Sequence, residues 1–184
     1  MILRNSTLSG NGESGTTVGG GIYNGAFSTL YIDNSTIVEN DGSEGAGILN
    51  LGSAKLTNTL VALNQGNKDV SGDFDSEGYN LIGNENGATG FSEDAGDQVG
   101  TSGAVIDPLI GDLGDHGGTT LTHALLSGSP AIDAGNRISP STYSGMILEL
   151  DQFVLKAEET QIFVKDTSGL PDTPFNILID PTPG

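Results

Sequence analysis

Leu3-Arg4-Asn5-Ser6-Thr7-Leu8-Ser9-Gly10-Asn11 is written twice more in this chain, as Ile32-Asp33-Asn34-Ser35-Thr36-Ile37-Val38-Glu39-Asn40 and as Leu56-Thr57-Asn58-Thr59-Leu60-Val61-Ala62-Leu63-Asn64. The phrase reads apolar, any, Asn, Ser/Thr, any, apolar, any, any, Asn. Asn5 and Asn34 are 29 residues apart, and Asn34 and Asn58 are 24 apart. A second phrase travels with it: Gly19-Gly20-Gly21-Ile22-Tyr23-Asn24 returns as Gly45-Ala46-Gly47-Ile48-Leu49-Asn50. Fixed residues at such a period mark a repeat architecture in which each unit packs on its neighbours.

The segments between turns are short, rich in β-branched residues and bounded by Gly, Asn, Asp and Ser, which is strand chemistry. Ankyrin and tetratricopeptide repeats need long helical periodicity, and leucine-rich repeats need several Leu at fixed spacing. What remains is an all-β parallel β-helix, a solenoid with coils of about 24–29 residues. Stacked coils lie about 4.8 Å apart, so equivalent side chains form columns. Leu3, Ile32 and Leu56 are expected to make one interior column, and Leu8, Ile37 and Val61 another. Asn34 and Asn58 are expected to be buried turn residues whose amides run up the stack as a ladder. The Gly clusters supply tight or positive-φ corners.

With 184 residues, the chain has room for one domain and part of a second. It carries 29 Gly, no Trp and no Cys, which suits a turn-dense solenoid without disulfides. Six cations against 24 acidic residues give a net charge of −18. Such a chain repels nucleic acid and anionic lipid, whose binding requires clustered cations. No apolar run reaches membrane-spanning length. Met1 leads straight into the first repeat with neither a signal sequence nor a polar cap, and Asp180-Pro181-Thr182-Pro183-Gly184 stops within strand-like sequence. The expectation is a fragment of a longer protein.

Beyond Lys68 the phrase fades. Strand candidates remain at 79–82 and 105–110, followed by Gly117-Gly118-Thr119-Thr120-Leu121-Thr122-His123-Ala124-Leu125-Leu126-Ser127-Gly128-Ser129-Pro130-Ala131-Ile132-Asp133-Ala134-Gly135. Together with Gly78-Tyr79-Asn80-Leu81-Ile82-Gly83-Asn84, Gly96-Asp97-Gln98 and Asp107-Pro108-Leu109-Ile110-Gly111, this succession resembles the choice-of-anchor Q type of domain. The resemblance covers about residues 1–136. It implies a bacterial secreted or surface-exposed protein with a right-handed parallel β-helix of the pectin-lyase-like kind, accompanied by variable anchoring regions, and it implies no particular reaction. The Asp-Gln-Arg-Gly continuation usual in that family is missing after Gly135, where Asn136-Arg137-Ile138 leads elsewhere.

The expected organisation is a β-helix with an irregular end over 1–136, a linker over 137–146, and a short β tail over 147–184. Ile132 is expected to tuck under the final coil. Strand-like runs at 146–150, 161–164 and 175–179 make the tail resemble the opening of a cadherin-like or Ig-like β-sandwich.

Candidate chemistry is sparse. A polyuronate lyase needs a cationic base, and the six cations are scattered. A glycoside hydrolase needs converging carboxylates, and Gly72-Asp73-Phe74-Asp75 places two on one side when extended. His116 and His123, with Asp112 or Asp115, have no short zinc spacing, and His123 is expected to bond a turn carbonyl. The Asp69–Asp75 and Asp94–Asp97 loops offer oxygen ligands for adventitious calcium. Thr36, Thr57 and Thr59 do not recur in one register, so no ice-templating array is visible.

No catalytic, cofactor-binding or metal residue is therefore assigned. The expectation is a non-enzymatic stalk or adhesive contact surface of a bacterial secreted or cell-surface protein, with surface glycans or other surface proteins as partners. The alternative is a carbohydrate-active hydrolase or lyase whose active site lies partly outside this chain.

Overall fold

Each copy of the nine-residue phrase folds as two short strands around a corner. The corner residue is the first Asn: Asn5, Asn34 and Asn58 hold φ of 47°, 48° and 48°, a left-handed conformation that Asn tolerates better than most residues. The next residue locks the bend by returning its hydroxyl to the carbonyl two residues back. Ser6 reaches Arg4 at 2.7 Å, Ser35 reaches Asp33 at 2.9 Å and Thr59 reaches Thr57 at 2.8 Å.

The computed structural model describes residues 1–13, 18–66 and 68–136, together with two short strands at 153–154 and 163–164. The first repeat contributes β1 (Ile2–Arg4), β2 (Thr7–Ser9) and β3 (Ile22–Asn24). The second contributes β4 (Thr29–Asp33), β5 (Thr36–Val38) and β6 (Ile48–Asn50), and the third β7 (Ser53–Thr57), β8 (Leu60–Ala62) and β9 (Val70–Ser71). Then follow β10 (Asp75–Ser76), β11 (Leu81–Ile82), a single 3-10 turn at Glu93–Ala95 and β12 (Gln98–Val99). These strands form three parallel sheets, ordered β1-β4-β7-β10, β2-β5-β8-β11-β12 and β3-β6-β9. From β1 to β11 the chain visits the sheets in rotation, and β12 then returns to the second sheet beside β11.

The register places Leu3 beside Ile32 and Ile32 beside Leu56, with Leu8, Ile37 and Val61 aligned in the second sheet. Those are the two columns read from the phrase. The sheets share a core in which Ile37, Ile48, Leu56, Val61, Val70 and Ile82 are all fully buried. Each such side chain contributes about 1.5–3 kcal/mol of transfer free energy. Phe74 belongs to the same core, and Phe91 packs against it with the ring centroids 5.2 Å apart.

The stack does not stop where the phrase fades. The short strands β9 to β12 join the same three sheets although residues 69–99 no longer spell the repeat. Tyr79 (φ 60°) and Gly96 (φ 82°) take the corner positions that Asn holds earlier. A strand expected over 105–110 begins only at Ile110: β13 (Ile110–Gly114) pairs antiparallel with β14 (Thr122–Leu125), through an irregularity between Ile110 and Leu113.

Residues 106–136 cover the outer face of the second sheet. There Val38, Leu60, Ala62 and Leu81 are buried beneath Ile106, Ile110 and Ala131. This corrects the expectation for Ile132, which is 47% exposed, while Ala131 makes the apolar contact. The alternation of a strand sends Ile37, Val61 and Ile82 inward and their neighbours outward, so a second apolar layer on the outside needs its own cover.

The chain divides into two compact units, Met1–Asn136 and Arg137–Gly184. In the second, β15 (Phe153–Val154) and β16 (Phe163–Val164) form an antiparallel pair. The linker expected over 137–146 and the strand-like runs at 146–150 and 175–179 lie outside the described residues.

Candidate functional site

The polar interior is built from three ladders, and the most regular uses the last Asn of the phrase rather than the first. Asn11 Nδ2 donates to Asn40 Oδ1 at 2.9 Å, Asn40 Nδ2 to Asn64 Oδ1 at 2.9 Å, and Asn64 Nδ2 to Asp69 Oδ1 at 2.8 Å. The backbone N–H of each of these asparagines donates to the same oxygen, at 3.0, 3.0 and 2.8 Å. Every buried polar group in the run thereby finds a partner, as burial demands. Asn34, by contrast, is exposed, and Asn58 is half-buried, with its amide clasping the backbone of Asn136. The assignment of Asn34 and Asn58 to a buried ladder is therefore overturned: left-handed φ at the corner turns their side chains outward.

A second ladder runs through the hydroxyl position. Ser6 N–H donates to Ser35 Oγ at 3.3 Å, Thr59 N–H to Asn80 Oδ1 at 3.0 Å, and Asn80 Nδ2 to Asp97 Oδ1 at 3.0 Å. A third joins Asn24 Nδ2 to Asn50 Oδ1 at 2.7 Å, and Asn50 then donates to the Asp73 carbonyl. Two ladders thus end on a buried carboxylate. Asp97 also accepts from Ser76 Oγ at 2.7 Å and from the Ser92 amide at 2.9 Å. Burial pushes the Asp69 carboxyl above its usual range, against the hydrogen bonds from Asn64 and Asn84 that favour its charged form. These two aspartates are structural acceptors with their lone pairs committed.

Glycine is required where neighbouring repeats touch. A Cβ on Gly47 would lie 2.7 Å from the Asp69 carbonyl oxygen and 2.7 Å from Asn64 Nδ2, so an alanine there would split the ladder.

The paired acids of the 72–75 segment share the outer side, with Phe74 buried between Asp73 and Asp75. Each is occupied. Asp73 Oδ1 accepts from Thr89 Oγ1 at 2.6 Å, and Asp75 lies 2.7 Å from Lys55 Nζ, which also meets Glu77 at 3.1 Å. The hydrogen bonds from Lys55 to Asp75 and then to Glu77 push the lysine up to about 12. Among the described residues, no three His, Cys, Asp or Glu side chains converge as a metal site. In the 94–97 loop, the Asp94 amide donates to Ser92 Oγ at 3.2 Å and Asp97 faces inward. Thr36 aligns with Thr7 on one side and with Leu60 on the other, and Thr59 is buried. An open cleft of about 90 Å³ between Asn58, Tyr79, Gln98 and Ala131 falls well below the roughly 300 Å³ of a small-molecule pocket.

His116 is exposed, whereas His123 holds two partners. Its Nδ1 is 2.8 Å from the carbonyl oxygen of Gly111, which lies in strand β13 and not in the turn expected for it, and its Nε2 is 2.9 Å from Ser9 Oγ. Ser9 Oγ is also 3.3 Å from Glu39 Oε2. Sequence reasoning missed Ser9 and Gly111, because 114 residues separate Ser9 from His123 and no local pattern links them. It also missed the Asn11–Asn40–Asn64 ladder, although the last position of all three phrase copies is Asn.

No protein-family model matches the chain, and neither a curated protein nor a solved structure matches it. The described residues form an all-β structure with parallel sheets. Among the described residues, no helix is long and apolar enough to cross a membrane.

Proposed function

We propose that residues 1–136 form a right-handed parallel β-helix serving as a stiff stalk or contact surface of a bacterial secreted or cell-surface protein, of the choice-of-anchor Q type. The observation that carries the reading is the commitment of its polar groups. The interior amides and carboxylates bond along the stack, and the exterior Asp73 and Asp75 are tied to Thr89 and Lys55. Such an arrangement resists bending and leaves the Asp73 and Asp75 pair engaged with the protein's own side chains. The acidity of the chain, −18 overall, keeps it apart from anionic surfaces and favours neutral or basic partners such as uncharged glycans or cationic protein patches.

A glycan array read in parallel with a polysaccharide hydrolysis and lyase screen tests the proposal. Binding to surface glycans or proteins without turnover is the expected outcome. Turnover that disappears in Asp73→Asn or Asp75→Asn would overturn it in favour of a carbohydrate-active enzyme.

A further inference from the structure

We propose that Ser9 is an activated nucleophile with His123 as its base, and that the pair accepts the acyl group of a small neutral ester. This goes beyond the stalk reading and does not depend on it. A serine hydroxyl is a poor nucleophile until a neighbouring base takes its proton, and the base works only when a third group fixes its orientation and tautomer.

All three parts are present. The Gly111 carbonyl can only accept, so His123 Nδ1, 2.8 Å away, carries the ring hydrogen. Nε2 then presents its lone pair, and Ser9 Oγ, 2.9 Å away, donates to it. A main-chain carbonyl here does the orienting for which a carboxylate serves in the Ser-His-Asp arrangement. The hydroxyl has one hydrogen and two candidate acceptors. Nε2 is nearer than Glu39 Oε2, which stands at 3.3 Å.

The surroundings select the substrate. Ser9 is only partly buried, and the adjoining Gly10 (φ 69°) has nothing within 4 Å of where a Cβ would stand, so space is open beside the nucleophile. Glu39 and the net charge of −18 repel an anionic acyl group, whereas an uncharged carboxylic ester meets no such repulsion. In the acylation step Ser9 Oγ bonds to the ester carbonyl carbon as His123 Nε2 takes the hydroxyl proton. The bond from that carbon to the alkoxy oxygen breaks, and the proton passes from Nε2 to the departing alcohol. Water then attacks the acyl-Ser9 carbon with His123 again relaying the proton, which releases the acid and restores the hydroxyl.

A simple clasp holding β14 against β2 would need the same contacts but not the same reactivity. The test is labelling of the full chain with a fluorophosphonate probe, mapped by mass spectrometry, beside a p-nitrophenyl acetate assay. Ser9 should label about tenfold or more faster than the exposed Ser28 and Ser53 of the same molecules. His123→Asn keeps a donor toward Gly111 and removes the base, and should slow Ser9 labelling by about 100-fold with the circular dichroism spectrum unchanged. Ser9 labelling no faster than Ser28, or equally fast in a folded His123→Asn variant, overturns the proposal. Should His123→Asn fail to fold, Ser9→Ala decides: the nitrophenol burst must vanish, and its persistence overturns the proposal equally.

Discussion

Residues 1–64 and residues 69–99 build the same stack by different spellings. In the first stretch the corner is always Asn and the inward amide always Asn; in the second the corners are Tyr79 and Gly96 and the acceptors are Asp69 and Asp97. What is common is a φ between about 47° and 82° at the corner and an oxygen at the inward position. The repeat is thus a list of physical requirements rather than of residues, and a word-by-word search loses it as soon as another residue meets the same requirement.

The strongest way to break this equivalence is to hollow both stretches. Leu56→Ala in the regular part and Ile82→Ala in the irregular part should each lower unfolding free energy by about 2–5 kcal/mol, since both side chains are fully buried. Urea melts measure it. A loss below about 1 kcal/mol for Ile82→Ala alone would mean that the irregular part does not share the core.

Next in size is the contrast between the two asparagines of one phrase. Asn40→Leu strands the two Asn11 donors and the Leu8 carbonyl, while the backbone N–H of residue 40 keeps its bond to Asn64, and should cost about 1–3 kcal/mol for each orphaned group. Asn34→Gly removes an outward side chain from a left-handed corner and should stay within about 0.5 kcal/mol of wild type. Equal effects would refute the division of labour between the corner and the ladder.

Asp69 separates the spellings by pH. Its folded-state pKa is raised above the usual 3.8, so the native protein takes up a proton before the unfolded chain does. Its contribution to stability is therefore full below about the ordinary value and declines as pH rises through the folded one. Wild type minus Asp69→Asn, followed by urea melts from acidic to neutral pH, should fall with rising pH; a rise would show that hydrogen bonding outweighs burial.

The smallest effect belongs to the outer charge cluster. Lys55→Met should leave the melting curve close to wild type, and the residual difference should disappear in high salt, because the pair with Asp75 stands in solvent.

Much of this was readable beforehand because columns are a one-dimensional property. Leu3, Ile32 and Leu56 align by counting alone. The side of the sheet that a polar residue faces is not, since one left-handed residue reverses it: Asn5, Asn34 and Asn58 point outward while Asn40 and Asn64 point in. The cover over the second sheet escaped for a different reason. The phrase gives no reason for Val38, Leu60 and Ala62 to be apolar beside the inward Ile37 and Val61, and only the return of residues 106–136 explains it. The Ser9–His123 contact depends on that same return.

The direction of the asparagine ladder has a grammatical consequence. An amide both gives and receives, so each Asn can be followed by another, whereas the carboxylates of Asp69 and Asp97 only accept here. Asp69 and Asp97 thus end their own side-chain ladders without ending the stack, which runs on past Asp69 through β10, β11 and β12. An extra unit, the 24 residues 34–57 duplicated, would therefore fit ahead of these acceptors, where each added Asn finds both a donor and an acceptor.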